Sequence, residues 1–156
     1  MSGTVDWGID LGTTNSAIAH MTPRGPELIP IRRMNYIPSA VARDKRGDLK
    51  IGADALNAHV DGLRLFKRMM GTGNMLSLGG EAWSPQMLSA EVLKALTAGA
   101  SLKTGSEIDE VVITVPAMFS QPPCAATSEA ANLAGLDAVA LLQEPIAAAT
   151  AYLSTD

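Results

Sequence analysis

The sequence has little cysteine, few aromatic residues and no run of one charge, and each shortage excludes a class of protein. A single cysteine, Cys124, excludes an internal disulfide framework and suits a reducing compartment such as the cytoplasm. Aromatic residues are 4% of the chain although hydrophobic residues are 47%, so the core must be aliphatic. With a net charge of −4 and no basic patch, the sequence predicts no nucleic-acid partner.

Long apolar stretches are also missing. No run approaches the roughly 20 residues that a helix needs to cross a bilayer, and the chain does not open on a basic segment followed by an apolar stretch. The sequence therefore predicts no membrane partner and no signal peptide, and we expect a cytoplasmic location. A length of 156 residues fits one domain, or part of a larger one.

The spacing of apolar residues predicts strands at both ends of the chain. Alternation predicts three antiparallel strands near the start, over residues 4–10, 16–21 and 27–31. Near the end, the apolar runs 111–115 and 138–142 flank a predicted helix that begins at Pro122–Pro123 and ends at Gly135. Because a crossover helix makes its two strands parallel, the chain is expected to form one mixed sheet in an α/β fold.

The middle of the chain predicts smaller elements. Short strands are expected at 40–42 and 49–51 and short helices at 53–59 and 63–70. Residues 71–84 contain four glycines and predict a loop or a small hairpin. A longer helix should then begin at Ser84–Pro85, with Ser84 as its N-cap, and end near Gly105.

The link between the first two strands, "DLGTTNS" (10–16), is a candidate phosphate site. Gly12 allows the backbone to approach a ligand, and the amides and hydroxyls of residues 12–15 can converge on an anion. Asp10 alone would repel phosphate, but Mg²⁺ between them binds both oxygens. From spacing alone, an ordinary hairpin turn with local Asp and Asn hydrogen bonds is equally well supported.

The segment "IDLGTTNSAIA" resembles the first phosphate loop of the DnaK-type, seventy-kilodalton heat-shock chaperones, which share an ATPase fold with actin and sugar kinases. Further motifs of this family have counterparts in the same order, "YIPSAVA" (36–42), "FKRMMG" (66–71), "VVITVPAMF" (111–119) and "AATSEAANLAGLDAVALLQEPIAAATAY" (125–152). The resemblance covers nearly the whole chain. The brief segment between Gly71 and Pro85 is most similar to the HscC-like branch.

The resemblance implies an actin-like, ribonuclease H-like lobe with a mixed five-stranded sheet and flanking helices. The lobe would have a core of about residues 1–35 and 85–156 and a small inserted α+β subdomain of about residues 36–84. The second lobe and the peptide-binding domain of the family have no counterpart in residues 1–156, so we expect a piece of a longer protein.

The resemblance also implies a nucleotide site. Asp10 would hold the Mg²⁺ of bound ATP or ADP through water, and the phosphates would be contacted by Gly12, Thr13, Thr14 and Asn15, with Thr13 also taking part in catalysis. A K⁺ ion is a further candidate cofactor.

Three more positions have roles in the family. Lys67 matches the catalytic lysine beside the γ-phosphate, and Glu144 matches a glutamate that positions water and, indirectly, the metal. Pro116 matches a proline that relays the nucleotide state to the peptide-binding domain. Cys124 stands where the family has an arginine of this relay, which puts the relay in doubt.

The implied function is a stress-response chaperone in which ATP hydrolysis controls the binding and release of unfolded peptides. Its partners would be unfolded peptides, bound by the missing domain, a J-domain cochaperone and a nucleotide-exchange factor. The isolated chain is expected to be inactive as an ATPase. Two alternatives stay open: a lobe of another actin-like ATPase or sugar kinase, and a non-enzymatic interaction fragment.

Overall fold

The computed structural model describes residues 6–12, 15–31, 33–56, 62–64, 72–115 and 121–143. The strands are β1 (Trp7–Leu11), β2 (Asn15–Thr22), β3 (Gly25–Leu28), β4 (Ile37–Pro38), β5 (Ala40–Arg43), β6 (Leu49–Ile51), β7 (Gly62–Arg64), β8 (Leu76–Leu78), β9 (Glu81–Trp83), β10 (Glu110–Val115) and β11 (Asp137–Gln143). The helices are α1 (Ala53–Leu56), α2 (Pro85–Thr104) and α3 (Gln121–Leu133).

One mixed sheet organises the fold, with strands in the order β11-β10-β1-β2-β3 and the two-residue β4 paired to β2. β1 is parallel to β10, and β10 is parallel to β11, whereas β2 is antiparallel to β1, β3 and β4. The α/β class and the five-stranded mixed path are confirmed. The sixth strand, β4, was not predicted because an Ile-Pro pair is too short to show periodicity.

The two faces of the central strand β1 differ in character, because one is apolar and the other is not. Trp7, Ile9 and Leu11 are all buried, and because side chains alternate along a strand they share one face. Gly8 and Asp10 therefore belong to the other face. Trp7 also stacks on His20 of β2, its cross-strand partner, with ring centroids 4.2 Å apart.

The helix α2 follows the sequence prediction closely. The Ser84 hydroxyl accepts a hydrogen bond from the Met87 backbone N–H at 3.1 Å, and Gly105 ends the helix in the left-handed conformation. Leu88, Val92 and Leu96, spaced four residues apart, are fully buried. They belong to one hydrophobic core with the apolar face of β1 and with buried alanines of α3.

The region between the main sheet and α2 forms a second sheet, in the order β6-β5-β7, and a β8–β9 hairpin. The hairpin confirms the prediction for residues 71–84. Arg43 of β5 joins the two units because it pairs with Glu81 at 2.9 Å and lies 5.7 Å from the centre of the Trp83 ring.

Two predicted elements of this part of the chain differ from the structure. The helix predicted over 63–70 is wrong at its start, because Leu63 and Arg64 lie in β7 and pair with β5. Pairing with an available strand outweighs a weak local preference for helix. The rest of that helix, 65–70, lies outside the described residues, as does the end of the helix predicted over 53–59, whose start is α1.

The third strand is also displaced from its predicted position at residues 27–31. β3 covers Gly25–Leu28, and Ile31 instead forms an isolated bridge with Met34. Pro26 lies within β3, which is the edge of the sheet, where proline is tolerated because one side of the strand needs no partner.

In the ranges that the structure describes, no helix is long and apolar enough to cross a membrane.

Candidate functional site

The turn between β1 and β2 lies where the chain leaves the central strand. Pairing continues to the last residue of β1, since Leu11 is opposite Ser16 and Asp10 is opposite Ala17. The turn is therefore short, residues 12–14, and it follows directly on Asp10 and Leu11. Thr13 and Thr14 lie outside the described residues. Gly12 and Asn15 lie on either side of them, and of the four predicted phosphate contacts these two are the ones that the structure describes.

Asp10 points away from the hydrophobic core. It lies on the face of β1 opposite Trp7, Ile9 and Leu11 and is half-buried. Its cross-strand neighbour on that face is Ala17, which is small. This placement is compatible with a carboxylate that meets a hydrated cation.

Gly12 allows a close approach within the turn that other residues cannot make. A Cβ added to Gly12 would stand 2.1 Å from the carbonyl oxygen of Asn15, and real Cβ atoms do not come that close to a backbone atom. The obstacle is backbone and cannot rotate aside. The turn as built therefore requires glycine at position 12.

The turn is held from outside by the segment that follows β4. The Ser39 hydroxyl donates to the Gly12 carbonyl at 2.8 Å, and the Ser39 and Ser16 hydroxyl oxygens are 2.7 Å apart. Both serines are buried. β4 brings Ser39 into place because Pro38 pairs with Asn15 at the start of β2.

Sequence reasoning missed this contact. "YIPSAVA" was singled out as a motif, but nothing in its letters shows that Ser39 reaches a residue 27 positions earlier. The available signal was a small hydroxyl residue directly after a proline, which alone is too common to interpret.

The carboxyl ends of three parallel strands meet at the edge of the sheet where this turn lies. Asp10 is level with Thr114 of β10, and Thr114 is level with Leu142 of β11. The chain thus leaves β10 at Val115 and β11 at Gln143 just beyond the row that contains Asp10. In α/β sheets, ligands bind at the carboxyl ends of the strands.

The remaining predicted site residues are Lys67, Pro116 and Glu144, and all three lie outside the described residues. Pro116 directly follows β10 and Glu144 directly follows β11 in the sequence. Lys67 comes three positions after the end of β7 in the sequence, and β7 is a strand of the second sheet. The structure therefore brings Asp10, Gly12 and Asn15 together and does not describe the residues predicted to act with them.

Among the described residues of the turn and the strand end before it, Asp10 supplies the one carboxylate. Within the described part of the chain, no group of three or more His, Cys, Asp and Glu residues could hold a metal ion. Asp10 as a lone carboxylate is compatible with Mg²⁺, which keeps several waters and binds through one or two carboxylates plus phosphate oxygens. Gly12 lies next to Asp10 and Leu11 at the start of the turn.

A cavity lies apart from this turn. It has a volume of about 740 Å³ between α2 and the stretch from Pro30 to Pro38, and its lining includes Tyr36, Gly99 and Lys103. Asp10, Gly12 and Asn15 do not line it.

Comparisons with known proteins agree on one family. The model of the family described as "Hsp70 protein" matches residues 6–75 and 72–154. The chain is 41% identical over 151 residues to the chaperone protein DnaK of Thermotoga neapolitana and 40% identical over 151 residues to that of Thermotoga maritima. It is 41% identical over 152 residues to the chaperone protein DnaK of Thermosipho melanesiensis. Each alignment covers 93% of the chain and 25% of the relative, so the chain spans about a quarter of the length of these relatives.

Proposed function

Because the chain belongs to the Hsp70 family, we propose that it is the first nucleotide-binding lobe of a DnaK-type chaperone that couples ATP hydrolysis to the binding and release of unfolded peptides. The observation that carries this proposal is the turn itself. Asp10 lies at the carboxyl end of a parallel strand, on the face opposite the hydrophobic core. Gly12 follows it in a turn that is too tight for any side chain at that position. The relatives are chaperones, so they do not favour a sugar kinase or a cytoskeletal protein.

In this proposal the turn binds the phosphates of ATP or ADP. The amides of residues 12–15 and the hydroxyls of Thr13 and Thr14 donate to phosphate oxygens. Asp10 holds a hydrated Mg²⁺ through water, and the cation supplies charge neutralisation to the phosphates. A K⁺ ion is a further candidate at the same site.

The catalytic roles fall to three residues. Lys67 places its ammonium beside the γ-phosphate and stabilises the charge that develops during transfer. Glu144 positions the attacking water, and Thr13 contacts the transferred group. The end of β11 at Gln143, on the edge that Asp10 occupies, supports the assignment of Glu144 to this site. Pro116, directly after β10, would relay the nucleotide state, with Cys124 in place of the arginine of the family.

We propose a division of the lobe into a core of about residues 1–35 and 85–156 and an inserted subdomain of about residues 36–84. A second lobe would complete the nucleotide site, and a separate domain would bind peptides. The partners would be unfolded peptides, a J-domain cochaperone and a nucleotide-exchange factor, in the cytoplasm. Membership of the HscC-like branch stays a prediction. The isolated chain should bind MgATP weakly or not at all because half of the contacts belong to the second lobe.

The test uses the full-length gene product, with MgATP binding followed by isothermal calorimetry and hydrolysis followed by phosphate release. The substitution Lys67→Ala should slow hydrolysis by about 100-fold or more while MgATP affinity stays within about threefold. The matched control is Lys45→Ala, an exposed lysine of a surface turn, which should leave both values unchanged. Wild-type protein that does not bind MgATP, or Lys67→Ala protein that hydrolyses it at the wild-type rate, would contradict the proposal.

A further inference from the structure

We propose that Ser39 is a positioning residue for the phosphate-binding turn, acting by holding the Gly12 carbonyl. Ser39 lies outside the turn, 27 positions later in the sequence, and reaches it only because β4 pairs with β2. The effect of Ser39 on the conformation of the turn follows from the contacts alone. Its effect on ligand binding rests on the proposed function.

The contacts fix the direction of the hydrogen bonds. A serine hydroxyl has one proton to donate and two lone pairs to accept. Since the Ser39 proton goes to the Gly12 carbonyl, the short contact between the two serines must have Ser16 donating to Ser39. The result is a directed chain, from Ser16 through Ser39 to Gly12, in which each bond polarises the next.

This series of hydrogen bonds restrains the peptide group at which the turn begins. A trans peptide is planar, so the carbonyl and the N–H that follows it point in opposite directions. The bond from Ser39 therefore restrains the plane of the peptide group that begins at the Gly12 carbonyl. The carbonyl oxygen of Asn15 also lies close to Gly12, so no side chain fits at this position.

Burial makes the restraint strong. Ser16 is 1% exposed and Ser39 is 2% exposed, so water does not readily replace the Ser39 hydroxyl. If that hydroxyl is removed, the half-buried Gly12 carbonyl loses the hydrogen bond that holds it toward Ser39.

Ser39 also connects the turn to the second sheet. It stands between Pro38, the last residue of β4, and Ala40, the first residue of β5. β5 is the central strand of the second sheet. The residue that contacts the Gly12 carbonyl is therefore also the residue that joins β4 to the second sheet.

The first arm of the test needs no ligand. Amide hydrogen exchange in peptides that cover residues 9–18 is compared among the full-length wild-type protein and three variants. Ser39→Ala should raise the exchange rate by about tenfold, and Ser16→Ala should raise it less because the bond from Ser39 to Gly12 is kept. The control is Ser89→Ala, which removes an equally buried hydroxyl from α2 and should leave this peptide unchanged.

The second arm measures binding of MgADP and, by competition, of adenosine, which has no phosphate. Ser39→Ala should weaken MgADP binding by about tenfold and leave adenosine binding unchanged, whereas Ser89→Ala should affect neither. A merely structural role would lower both affinities together, in proportion to lost stability.

The outcomes separate the two proposals. Unchanged exchange at residues 9–18 in Ser39→Ala, or a rise no larger than in Ser89→Ala, overturns the role of Ser39 whatever the nucleotide does. If Ser39→Ala does not fold, the smaller Ser16→Ala effect decides, and its absence likewise overturns the proposal. If exchange rises in Ser39→Ala but the wild-type protein does not bind MgADP, the positioning role stands and the proposed function is refuted.

Discussion

The α-carbon of Gly12 lies so close to the carbonyl oxygen of Asn15 that a Cβ would stand 2.1 Å from it. These two residues are the ends of the turn that the structure describes, so their approach defines how tightly the chain reverses between β1 and β2. The close approach explains why position 12 is glycine. It fits both an ordinary hairpin turn and a phosphate-binding turn, so the phosphate site stays a prediction.

Gly12→Ala should abolish tight nucleotide binding, because the backbone must move to relieve the clash. We expect MgADP affinity of the full-length protein to fall by about tenfold or more, measured by calorimetry. The matched control is Gly80→Ala in the β8–β9 hairpin, where glycine has positive φ but a Cβ would have no neighbour within 4 Å. The control should lose about 1 kcal/mol of stability and keep its affinity. Wild-type affinity in Gly12→Ala would contradict the account of the turn.

Asp10→Asn should remove the dependence of nucleotide affinity on Mg²⁺. The amide keeps the shape of the side chain but cannot supply the charge that attracts the cation. The measurement is ADP binding with Mg²⁺ and with a chelator. Asp48→Asn, at an exposed turn, is the control and should behave as wild type; an equal Mg²⁺ response in Asp10→Asn would exclude Asp10 from the metal site.

Elements with a strong repeat or a clear cap could be predicted from the sequence. The start of α2 was set by Ser84 and its end by Gly105, and the β-branched run before α3 identified β10. Elements defined by pairing were not predictable. β4 has two residues, and β7 exists because β5 offers a free edge. Both depend on partners distant in the sequence, which local patterns do not encode.

The same distinction applies to the site. The turn could be predicted because its acidic, glycine and hydroxyl residues are adjacent in the sequence. Its support could not, because Ser39 comes from another part of the chain and its role exists only once β4 pairs with β2. Long-range contacts of this kind are visible only in the folded protein.

Ser84→Ala should destabilise the chain by about 1 kcal/mol, since the hydroxyl caps the Met87 N–H at the start of α2. Because fully buried residues of α2 belong to the hydrophobic core, unwinding of the start of the helix also weakens core packing. The free energy of unfolding in guanidinium is the measurement. Ser77→Ala, at an exposed position of β8, is the control; equal stability of the two variants would show that the cap contributes nothing.

Asp44 should titrate below its ordinary value. The Asp48 N–H, first, and then the Arg46 N–H donate to its carboxylate, and these bonds lower the pKa of Asp44 from 3.8. A lowered folded-state pKa means that the stabilisation is complete above the unfolded pKa and is lost as pH falls through the folded value. Carboxyl-carbon NMR of the chain measures the midpoint. A midpoint at or above 3.8 would contradict the turn geometry.

The most direct measurement of the central claim is a crystal structure of the full-length gene product with ADP and Mn²⁺, with the metal located by its anomalous scattering. The account predicts a manganese peak about 4–5 Å from the Asp10 carboxylate, bridged by water, with a phosphate against the backbone of Gly12. A nucleotide bound far from this turn, or a metal with no link to Asp10, would contradict it.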